Sequence, residues 1–316
     1  MSTPGATRIS VIVPTRNRPQ FVQDALECVL SGLYQSFDVW IMDQTDGATT
    51  EDVVRHFKDE RLHYVRMPRN GACPARNLGA ALAQSELVAF LDDDCCPRQD
   101  WLQRIVAGFD ASPDLQFIFG ALRAPDVDRK QGWYPEFLPD ASLEDPRRRR
   151  RITTLGAGAN MAARKSFLRR IGGFDELLGP SDVTVNSSDT SMCYKVFRSG
   201  EKWIADAEIE VIHKNGFRPH AELGRLFAVY AREMGIDYGR FVRRGDTRAA
   251  WLFALEQCDL ILSATRNVVL LRRPQGLRDA FGRARGFIEG LRLSGRIGYV
   301  DGAEFRRMEA TRTLDR

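Results

Sequence analysis

The first 120 residues alternate short apolar runs with amphipathic segments, a pattern typical of α/β proteins. The run Ile9–Pro14 predicts a buried strand closed by a proline, and helical spacing follows over Pro19–Leu30. The same alternation predicts three more strands and three more helices, at Phe37–Met42, Leu62–Val65, Leu87–Leu91, Glu51–Phe57, Ala75–Ala83 and Trp101–Phe109. We therefore expect a mainly parallel, Rossmann-like sheet with helices on both faces, and ligands beyond the carboxyl ends of its strands.

The pattern changes twice further along the chain. Prolines, a Gly-Trp-Tyr-Pro segment and the five-arginine run Arg147–Arg151 indicate a loop-rich stretch. A strand-like run from Ile152 and then mixed helix and strand patterns predict an α+β part, at 164–171, 189–199, 202–204 and 208–213. Helical spacing dominates after Phe217. These changes predict three regions, 8–125, 126–217 and a C-terminal helical extension over 218–316.

Composition supports a globular protein and gives little sign of nucleic-acid binding. The chain has 316 residues, 43% hydrophobic and 28% charged, which excludes a disordered or collagen-like protein. Its net charge of +4 is too small to predict a nucleic-acid partner. The excess lies in residues 218–316, where 19 arginines face 12 acidic residues. An arginine-rich helical region can pack on the rest of the protein, form a homodimer interface or contact a membrane surface.

Cysteine spacing and hydropathy suggest where the protein works. The six cysteines form no C-x-x-C pair, so we expect reduced thiols in a cytoplasmic protein. Residues 1–7 show no basic segment followed by an apolar run, so we expect no signal peptide. Glu256, Asp259 and Arg266 interrupt the best candidate for a membrane span. We therefore expect a cytoplasmic protein, with peripheral contact at the inner membrane face as an alternative.

Three consecutive carboxylates are the clearest candidate for chemistry. Asp92, Asp93 and Asp94 follow directly on an apolar strand. Crowded acids at a strand end are unfavourable without a cation, and their oxygens suit Mg²⁺ or Mn²⁺ bridged to phosphates. The alternative is an acidic surface turn.

Common phosphate-binding loops are missing from the sequence. It contains neither G-x-x-x-x-G-K-[ST] nor G-x-G-x-x-G, which argues against an ATPase or a dehydrogenase. A nucleotide would instead be held by loop residues, in Pro14-Thr15-Arg16, at Asp43 and in Asn70-Gly71 to Arg76-Asn77. Arg76 can form a fork with a phosphate.

Four ordered motifs together resemble a known family. They are Val11-Ile-Val-Pro-Thr-Arg-Asn-Arg18, Ile41-Met-Asp43, Ala75-Arg-Asn-Leu-Gly79 and Phe90-Leu-Asp-Asp-Asp94. This set closely resembles the inverting family 2 glycosyltransferases of the GT-A fold. Further matches extend the resemblance over about residues 8–217, at Gly156–Arg164, Gly172–Glu176, Ser188–Thr190 and Val211–His213.

The resemblance implies roles for individual residues. It makes residues 8–125 the nucleotide-sugar-binding half and 126–217 the acceptor-binding half. The donor would contact one group of residues, namely Pro14, Thr15, Arg18, Asp43, Arg76, Asp92 and Asp93. Asp94 would be the direct metal ligand, with Asp92 and His213 completing the site, and Asn160 would belong to an acceptor-side loop.

Asp189 is the catalytic base that the resemblance implies. Displacement at an anomeric carbon needs a carboxylate that takes the proton of the acceptor hydroxyl. The family usually has a Glu-Asp pair followed by another acid, whereas Ser188 and Ser191 flank this aspartate. That departure puts the acceptor contacts and the pKa of the base in doubt. The alternative is that Asp189 caps the helix that follows it.

Two aromatic residues and two cysteines receive weaker interpretations. Trp133 and Tyr134 could stack on a sugar, or dock on the protein body. Cys95 and Cys96 adjoin the aspartates, but their spacing is wrong for a closed zinc site, so we expect packing roles.

The resulting expectation is a metal-dependent inverting glycosyltransferase. It would use Mn²⁺ or Mg²⁺ to move a sugar from a nucleotide-sugar donor, expected to be UDP-linked, to a hydroxyl acceptor. That acceptor could be a bacterial polysaccharide, a lipid-linked saccharide or a natural product. The alternatives are a catalytically silent sugar-nucleotide or glycan-binding module and, less favoured, a nucleotidyltransferase, for which the first loop lacks a glycine-rich, lysine-containing segment.

Overall fold

The computed structural model describes most of the chain, namely residues 7–68, 71–126, 129–130, 132–139, 155–178, 188–269 and 275–293. Ten strands lie in these ranges: β1 (Ile9–Thr15), β2 (Phe37–Asp43), β3 (Leu62–Arg66), β4 (Leu87–Leu91), β5 (Cys95–Pro97), β6 (Leu115–Arg123), β7 (Gly132–Trp133), β8 (Asn160–Arg164), β9 (Lys202–His213) and β10 (Arg218–Pro219). Nine helices accompany them: α1 (Pro19–Leu30), α2 (Thr49–His56), α3 (Ala72–Leu82), α4 (Trp101–Ala111), α5 (Lys165–Ile171), α6 (Ser188–Ser199), α7 (His220–Arg243), α8 (Thr247–Val269) and α9 (Gln275–Arg292). The Arg147–Arg151 run, the strand predicted from Ile152 and Asn70 lie outside the described residues.

Eight strands form one sheet in the order β3-β2-β1-β4-β8-β6-β9-β5. Strands β3, β2, β1 and β4 are parallel, as are β6 and β9. The antiparallel neighbours are β4 with β8, β6 with β8, and β5 with β9. The predicted α/β class with a mainly parallel sheet is confirmed. The regions predicted as 8–125 and 126–217 contribute strands to this same sheet.

Local patterns predicted the first half of the sheet well. The α1 and β4 boundaries agree with the expectation, because Pro19 opens the helix and Leu87–Leu91 is a continuous buried run. The strands predicted at 202–204 and 208–213 are instead one strand, β9, whose register against β6 shifts at Gly120/Ala121. Such an irregularity inserts residues without ending the strand.

Alternating side chains of the sheet supply two separate cores. Ile9, Val11 and Val13 face one side of β1, where α1 and α4 pack, while Ile12 faces the other. The second core contains Phe90, several further aromatic residues of the sheet and helices, and residues of α7 and α8, namely Phe117, Phe119, Phe167, Phe174, Tyr238, Phe241 and Leu252. Burying apolar surface on both faces fixes where each strand ends, and thereby fixes the loops at the carboxyl edge.

The expectation of six reduced cysteines is wrong. Cys28 of α1 and Cys96 of β5 form a disulfide across 68 positions of sequence, with their Cα atoms 5.5 Å apart. Cys96 therefore cross-links the chain, beyond the packing role expected for it. Spacing rules missed the bond because its two cysteines meet only when α1 packs beside β5.

Helices α7 and α9 pack with their backbones in near contact. A Cβ atom at Gly286 would lie 1.8 Å from the Arg232 carbonyl oxygen, and one at Gly239 would lie 2.2 Å from that of Phe287. Gly235 and Gly290 allow equally close approaches. The predicted helical region thus includes a tight glycine-lined pair. Among the described helices, none combines the length and apolar character that crossing a membrane requires.

Candidate active site

A cavity of about 320 Å³ opens at the carboxyl ends of β1, β2 and β4. Its walls come from the loop after β1, the loop leading into α3, and the three aspartates that follow β4. The residues that line it are Pro14, Thr15, Arg16, Asn17, Arg18, Gln44, Gly71, Ala72, Arg76, Asp92, Asp93 and Asp94. This is the edge at which the strand pattern predicted a ligand.

The three aspartates have three different environments. The Asp92 carboxylate accepts a 2.6 Å hydrogen bond from the Arg76 guanidinium. Asp93 accepts a 2.7 Å bond from the Thr15 hydroxyl and lies 3.2 Å from Arg18. Asp94 lies 3.3 Å from the His213 Nε2 and 3.5 Å from Arg18. The structure therefore brings Thr15, Arg18, Arg76 and His213 to the aspartates, and their roles toward a donor or a metal remain predictions.

Burial and charge shift the pKa values of these groups in opposite directions. Burial raises the pKa of Asp93 to about 7, against the opposing effects of Arg18 and the Thr15 hydrogen bond. Burial also acts to raise the pKa of Asp94, but the hydrogen bond and charge of His213 outweigh it and lower that pKa. Burial alone would lower the pKa of His213. The hydrogen bond and negative charge of Asp94 have the larger effect, so the pKa of His213 is raised. Asp94 and His213 thus favour each other's charged forms.

Asp94, Cys95 and His213 form a group whose candidate ligand atoms lie within 4.8 Å of one another. Burial, followed by the neighbouring aspartates, raises the pKa of the Cys95 thiol well above its usual range, so the sulfur stays protonated. The remaining pair offers one carboxylate oxygen and one imidazole nitrogen. These donors fit a divalent cation that takes its other ligands from phosphates and water. Asp92 is outside this group, since its carboxylate is bonded to Arg76.

Asp43 lies beneath the cavity rather than in its wall. Its side chain is fully buried, accepting a 2.8 Å hydrogen bond from the Tyr64 hydroxyl and a 2.9 Å bond from the Thr45 backbone N–H. The next residue, Gln44, lines the cavity and donates to the Gly71 carbonyl. The predicted donor contact of Asp43 remains a prediction, and Gln44 is the polar neighbour that lines the cavity.

Arg76 is a buried arginine on which the charges of two carboxylates act. Its side chain is 4% exposed, and its guanidinium lies 5.4 Å from the centre of the Phe174 ring. Burial acts to lower the pKa of Arg76, but the charges of Asp92 and Asp189 outweigh it and raise that pKa. The carboxylates of Asp92, on the donor side, and of Asp189, on α6, thus both stabilise the charged form of Arg76.

Asp189 occupies the first turn of α6, which begins at Ser188. The structure therefore places it inside the helix rather than before it, where its charge is favourable at the helix N-terminus. A Cβ atom at Gly158 would lie 2.1 Å from the Asp189 Oδ1, so only glycine leaves room for this carboxylate. The helix-end role and the role as base are compatible, and the base remains a prediction.

The structure does not bring Asn160 to the cavity. Its side-chain amide is buried, donating 2.8 Å bonds to the carbonyls of Ala121 and Ile209. Its oxygen accepts a 2.9 Å bond from the Trp101 indole. These bonds hold β8, β6 and β9 together, so Asn160 lies in the sheet rather than in an acceptor-side loop.

Sequence reasoning missed several residues near the site. Asn17 and Gln44 line the cavity. Burial raises the pKa of Tyr230 in α7, and the charge of Asp189 raises it further. Asn17 adopts a left-handed backbone conformation, with φ of 56°. It lies inside the first matched motif, which could have drawn attention to it. No spacing signal pointed to Tyr230, because α7 approaches Asp189 only through tertiary packing.

Sequence comparison relates the chain to enzymes with sugar donors. The profile of glycosyl transferase family 2 matches residues 10–172. Glucosyl-dolichyl phosphate glucuronosyltransferase of Haloferax volcanii is 25% identical over 224 residues, covering 66% of this chain and 69% of that protein. Pre-mycofactocin glycosyltransferase of Mycobacterium tuberculosis is 28% identical over 213 residues, covering 64% and 41%. The match to that relative therefore spans well under half of its length.

Comparison with solved structures supports the fold. Mannosyltransferase PcManGT from Pyrobaculum calidifontis, solved in complex with GDP-Man and Mn²⁺, has a TM-score of 0.59 at 17% identity, covering 91% of this chain and 88% of that one. S. aureus TarS 1-349 has a TM-score of 0.54 at 16% identity, covering 98% and 92%. These structures confirm the GT-A fold. The family profile and the curated relatives confirm that the protein is a glycosyltransferase. The family profile covers more than half of the chain, which therefore belongs to glycosyl transferase family 2.

Proposed function

We propose that this protein is an inverting glycosyltransferase that uses a divalent cation and a nucleoside diphosphate sugar. The observation that carries the proposal is the position of Arg76, a buried guanidinium that donates a 2.6 Å hydrogen bond to Asp92 and whose pKa the charge of Asp189 also raises. Arg76 would place a positive charge near the departing diphosphate on the Asp92 side. Asp189 would act on the attacking hydroxyl on the other side. UDP is the expected nucleotide, and GDP is the alternative suggested by the PcManGT complex.

Asp94 and His213 would hold the cation in this proposal. Their oxygen and nitrogen donors suit Mn²⁺, with Mg²⁺ as the alternative. A bound cation would supply positive charge to the diphosphate as the bond to the sugar breaks. Thr15 and Arg18 fix Asp93 beside this site, and Arg76 fixes Asp92.

Asp189 would act as the general base. Its carboxylate takes the proton of the acceptor hydroxyl while the acceptor oxygen attacks the anomeric carbon. The nucleoside diphosphate leaves from the opposite side of the sugar with the electrons of the broken bond, so the anomeric configuration inverts. Arg76 offers a buried positive charge for the leaving group.

We propose a lipid-linked saccharide as the acceptor. Support comes from the name of the Haloferax volcanii relative, which describes a glucosyl-dolichyl phosphate substrate. Peripheral membrane contact, a homodimer and a cytoplasmic site of action remain predictions. The exposed side chains Leu277, Phe281 and Ile288 of α9, interspersed with arginines, are suited to such a contact.

The decisive experiment replaces the proposed base. Asp189→Asn should abolish sugar transfer from a UDP- and GDP-sugar panel while leaving Mn²⁺-dependent nucleotide binding unchanged, measured by calorimetry. Asp52→Asn is the matched control, because Asp52 also lies in the first turn of a helix and its charge is not among those that shift the pKa of Arg76. Loss of nucleotide binding or of the fold in Asp189→Asn would assign this residue a structural role.

Two further results separate the alternatives. A protein that binds UDP or GDP with Mn²⁺ yet never transfers or hydrolyses any sugar of the panel would be a binding module. Asp94→Ala should remove the Mn²⁺ dependence of nucleotide binding. If chelator leaves nucleotide affinity unchanged in the unaltered protein, Asp94 and His213 do not hold a required cation.

A further inference from the structure

A cluster of aromatic side chains lies beside the proposed base. We call it the aromatic ledge and define it as Trp133, Tyr134, Phe217, Phe227 and Tyr230. Strands β7 and β10 pair antiparallel, with Trp133 opposite Arg218, and α7 starts directly after β10. The Trp133 ring centre lies 5.6 Å from that of Phe227, and Tyr134 lies 5.6 Å from Phe217. The small sheet thus positions aromatic pairs from distant parts of the chain.

Two rings of the aromatic ledge remain open to water. Phe217 is 39% exposed and Phe227 is 42% exposed, although each packs against a neighbouring ring. A glycine supports this arrangement, since a Cβ atom at Gly132 would lie 2.3 Å from the Phe217 ring. Clustered exposed aromatic surface is typical of a binding surface rather than of packing alone.

The aromatic ledge is continuous with the proposed active site at both ends. Phe227 lies 6.3 Å from Tyr230, ring centre to ring centre, and Tyr230 is close enough to Asp189 to feel its charge. At the other end, Phe217 follows Gly216, where a Cβ atom would lie 2.4 Å from the His213 imidazole. The Phe217 end of the aromatic ledge therefore lies next to the His213 ring, and its Tyr230 end lies within range of the Asp189 charge.

Arg218 gives the aromatic ledge a positive charge. Its guanidinium donates a 2.8 Å hydrogen bond to the Phe217 carbonyl and forms no ion pair with a carboxylate among the described residues. Its charge also acts on Tyr230. Arginine is well suited to bind a phosphate beside an apolar surface.

The chemistry of the rings identifies the class of ligand. Phenylalanine has no polar atom with which to bind sugar hydroxyls, so the exposed part of the ledge matches a hydrocarbon chain better than a sugar ring. We propose that the aromatic ledge binds the hydrocarbon part of an acceptor whose phosphate contacts Arg218 and whose sugar hydroxyl reaches Asp189. This inference rests on the proposed lipid-linked acceptor and names the residues that select it.

Binding of small probes tests the inference without turnover. We would measure the affinity of n-octyl phosphate, inorganic phosphate and n-octyl β-glucopyranoside by calorimetry, at concentrations below micelle formation and without donor or cation. The full-length protein should bind n-octyl phosphate at least about tenfold more tightly than inorganic phosphate. Because no donor, cation or turnover is needed, failure of the Asp189 experiment would leave this result standing, and the reverse also holds.

Three variants localise the binding. Phe227→Ser should weaken n-octyl phosphate binding by about tenfold. Arg218→Gln should weaken binding of n-octyl phosphate but not of n-octyl β-glucopyranoside. Trp251→Ser is the control, since Trp251 is an aromatic residue that is 58% exposed on α8 outside the ledge. Nucleotide affinity should be unchanged in Phe227→Ser.

Three outcomes would overturn the inference. One is equal affinity for n-octyl phosphate and inorganic phosphate. Another is a loss of n-octyl phosphate binding in Trp251→Ser as large as that in Phe227→Ser, which would indicate nonspecific apolar binding. The third is tight binding of methyl β-glucopyranoside that Phe227→Ser abolishes, which would identify a sugar-stacking surface instead.

Discussion

The donor end of the cleft and the junction with the C-terminal helices both bury carboxylates, but they neutralise them differently. At the junction, Asp175 and Arg240 are each 3% exposed and joined by hydrogen bonds of 2.8 to 3.1 Å. Glu256 of α8 is likewise paired with Arg283 of α9. Each of these acids has an arginine of its own.

At the donor end, two of the three aspartates share a single arginine. Among the described residues, Asp92 is paired with the buried Arg76, whereas Asp93 and Asp94 both lie within ion-pair distance of Arg18, whose side chain is 51% exposed. His213 contributes a further charge only when it is protonated. The acids of this region are therefore less completely neutralised than those of the junction.

This difference separates structural charge from charge available for function. A buried pair with excellent geometry holds two elements in one arrangement, and removing one partner is costly. A group of acids that shares one exposed arginine can accept a further cation with less rearrangement. The comparison supports the proposed cation site independently of sequence motifs.

The largest expected effect comes from breaking a junction pair. Arg240→Met should lower the free energy of unfolding by roughly 3–5 kcal/mol, because it leaves Asp175 buried without its arginine. Chemical denaturation followed by circular dichroism measures this loss. Lys195 is also buried, which lowers its pKa, but the charge of Asp175 acts to raise that pKa, so the positive charge of Lys195 would reduce this loss.

Two controls test whether pairing is the cause. Arg225→Met alters an exposed arginine on the same helix and should change stability little. The double variant Arg240→Met/Asp175→Leu should recover part of the loss, because no unpaired charge remains. If the double variant is no more stable than Arg240→Met, the helices are held mainly by packing.

A smaller effect, of opposite sign, is expected at the donor end. The pKa of Asp93 is raised to about 7 in the folded protein, so between its ordinary value of 3.8 and 7 the folded state holds a proton that the unfolded chain releases. Stability from this group therefore falls as pH rises through that range. Asp93→Asn cannot ionise and should be more stable than the unaltered protein at pH 8, on the order of 1–3 kcal/mol.

Thermal unfolding at pH 5 and pH 8 tests whether the Asp93 contribution to stability falls as the pH rises. The protein should first be treated with chelator, since a bound cation would stabilise the carboxylate. The difference between the two pH values should shrink in Asp93→Asn and persist in the exposed control Asp52→Asn. If thermal stability depends equally on pH in all three proteins, ionising Asp93 does not destabilise the folded state.

The smallest effect is expected at an exposed pair. Arg170 and Glu201 lie 3.0 Å apart, but their side chains are 49% and 37% exposed. Arg170→Ala should lower stability by no more than about 1 kcal/mol, because water screens the pair. A loss as large as that of Arg240→Met would mean that burial does not separate the two kinds of pair.

Sequence patterns predicted the elements whose signals are local. The first two strands and α1 follow from apolar runs and a proline, and the aspartates stood out because they follow a buried strand. The short strands β5 and β8 had no local signal. They exist because β9 and β4 supply hydrogen-bonding partners from more than 65 residues away.

The site was predictable in part for the same reason. Motifs identified Thr15, Arg18, Arg76 and the aspartates, and the structure brings these together. Asn160 carried a motif but lies in the sheet, where its amide bonds join three strands. Burial and hydrogen-bond partners depend on the complete fold, so residue type and spacing could not distinguish this role from a ligand contact.

The Cys28–Cys96 disulfide closes a covalent ring of polypeptide around the donor site. The ring includes β2, β3, β4 and α3, and with them Gln44, Arg76 and Asp92 of the cavity wall. A protease that cuts the chain within α2 would therefore leave two fragments that still migrate together. They would separate in a denaturing gel only after a thiol reductant had opened the bond between them.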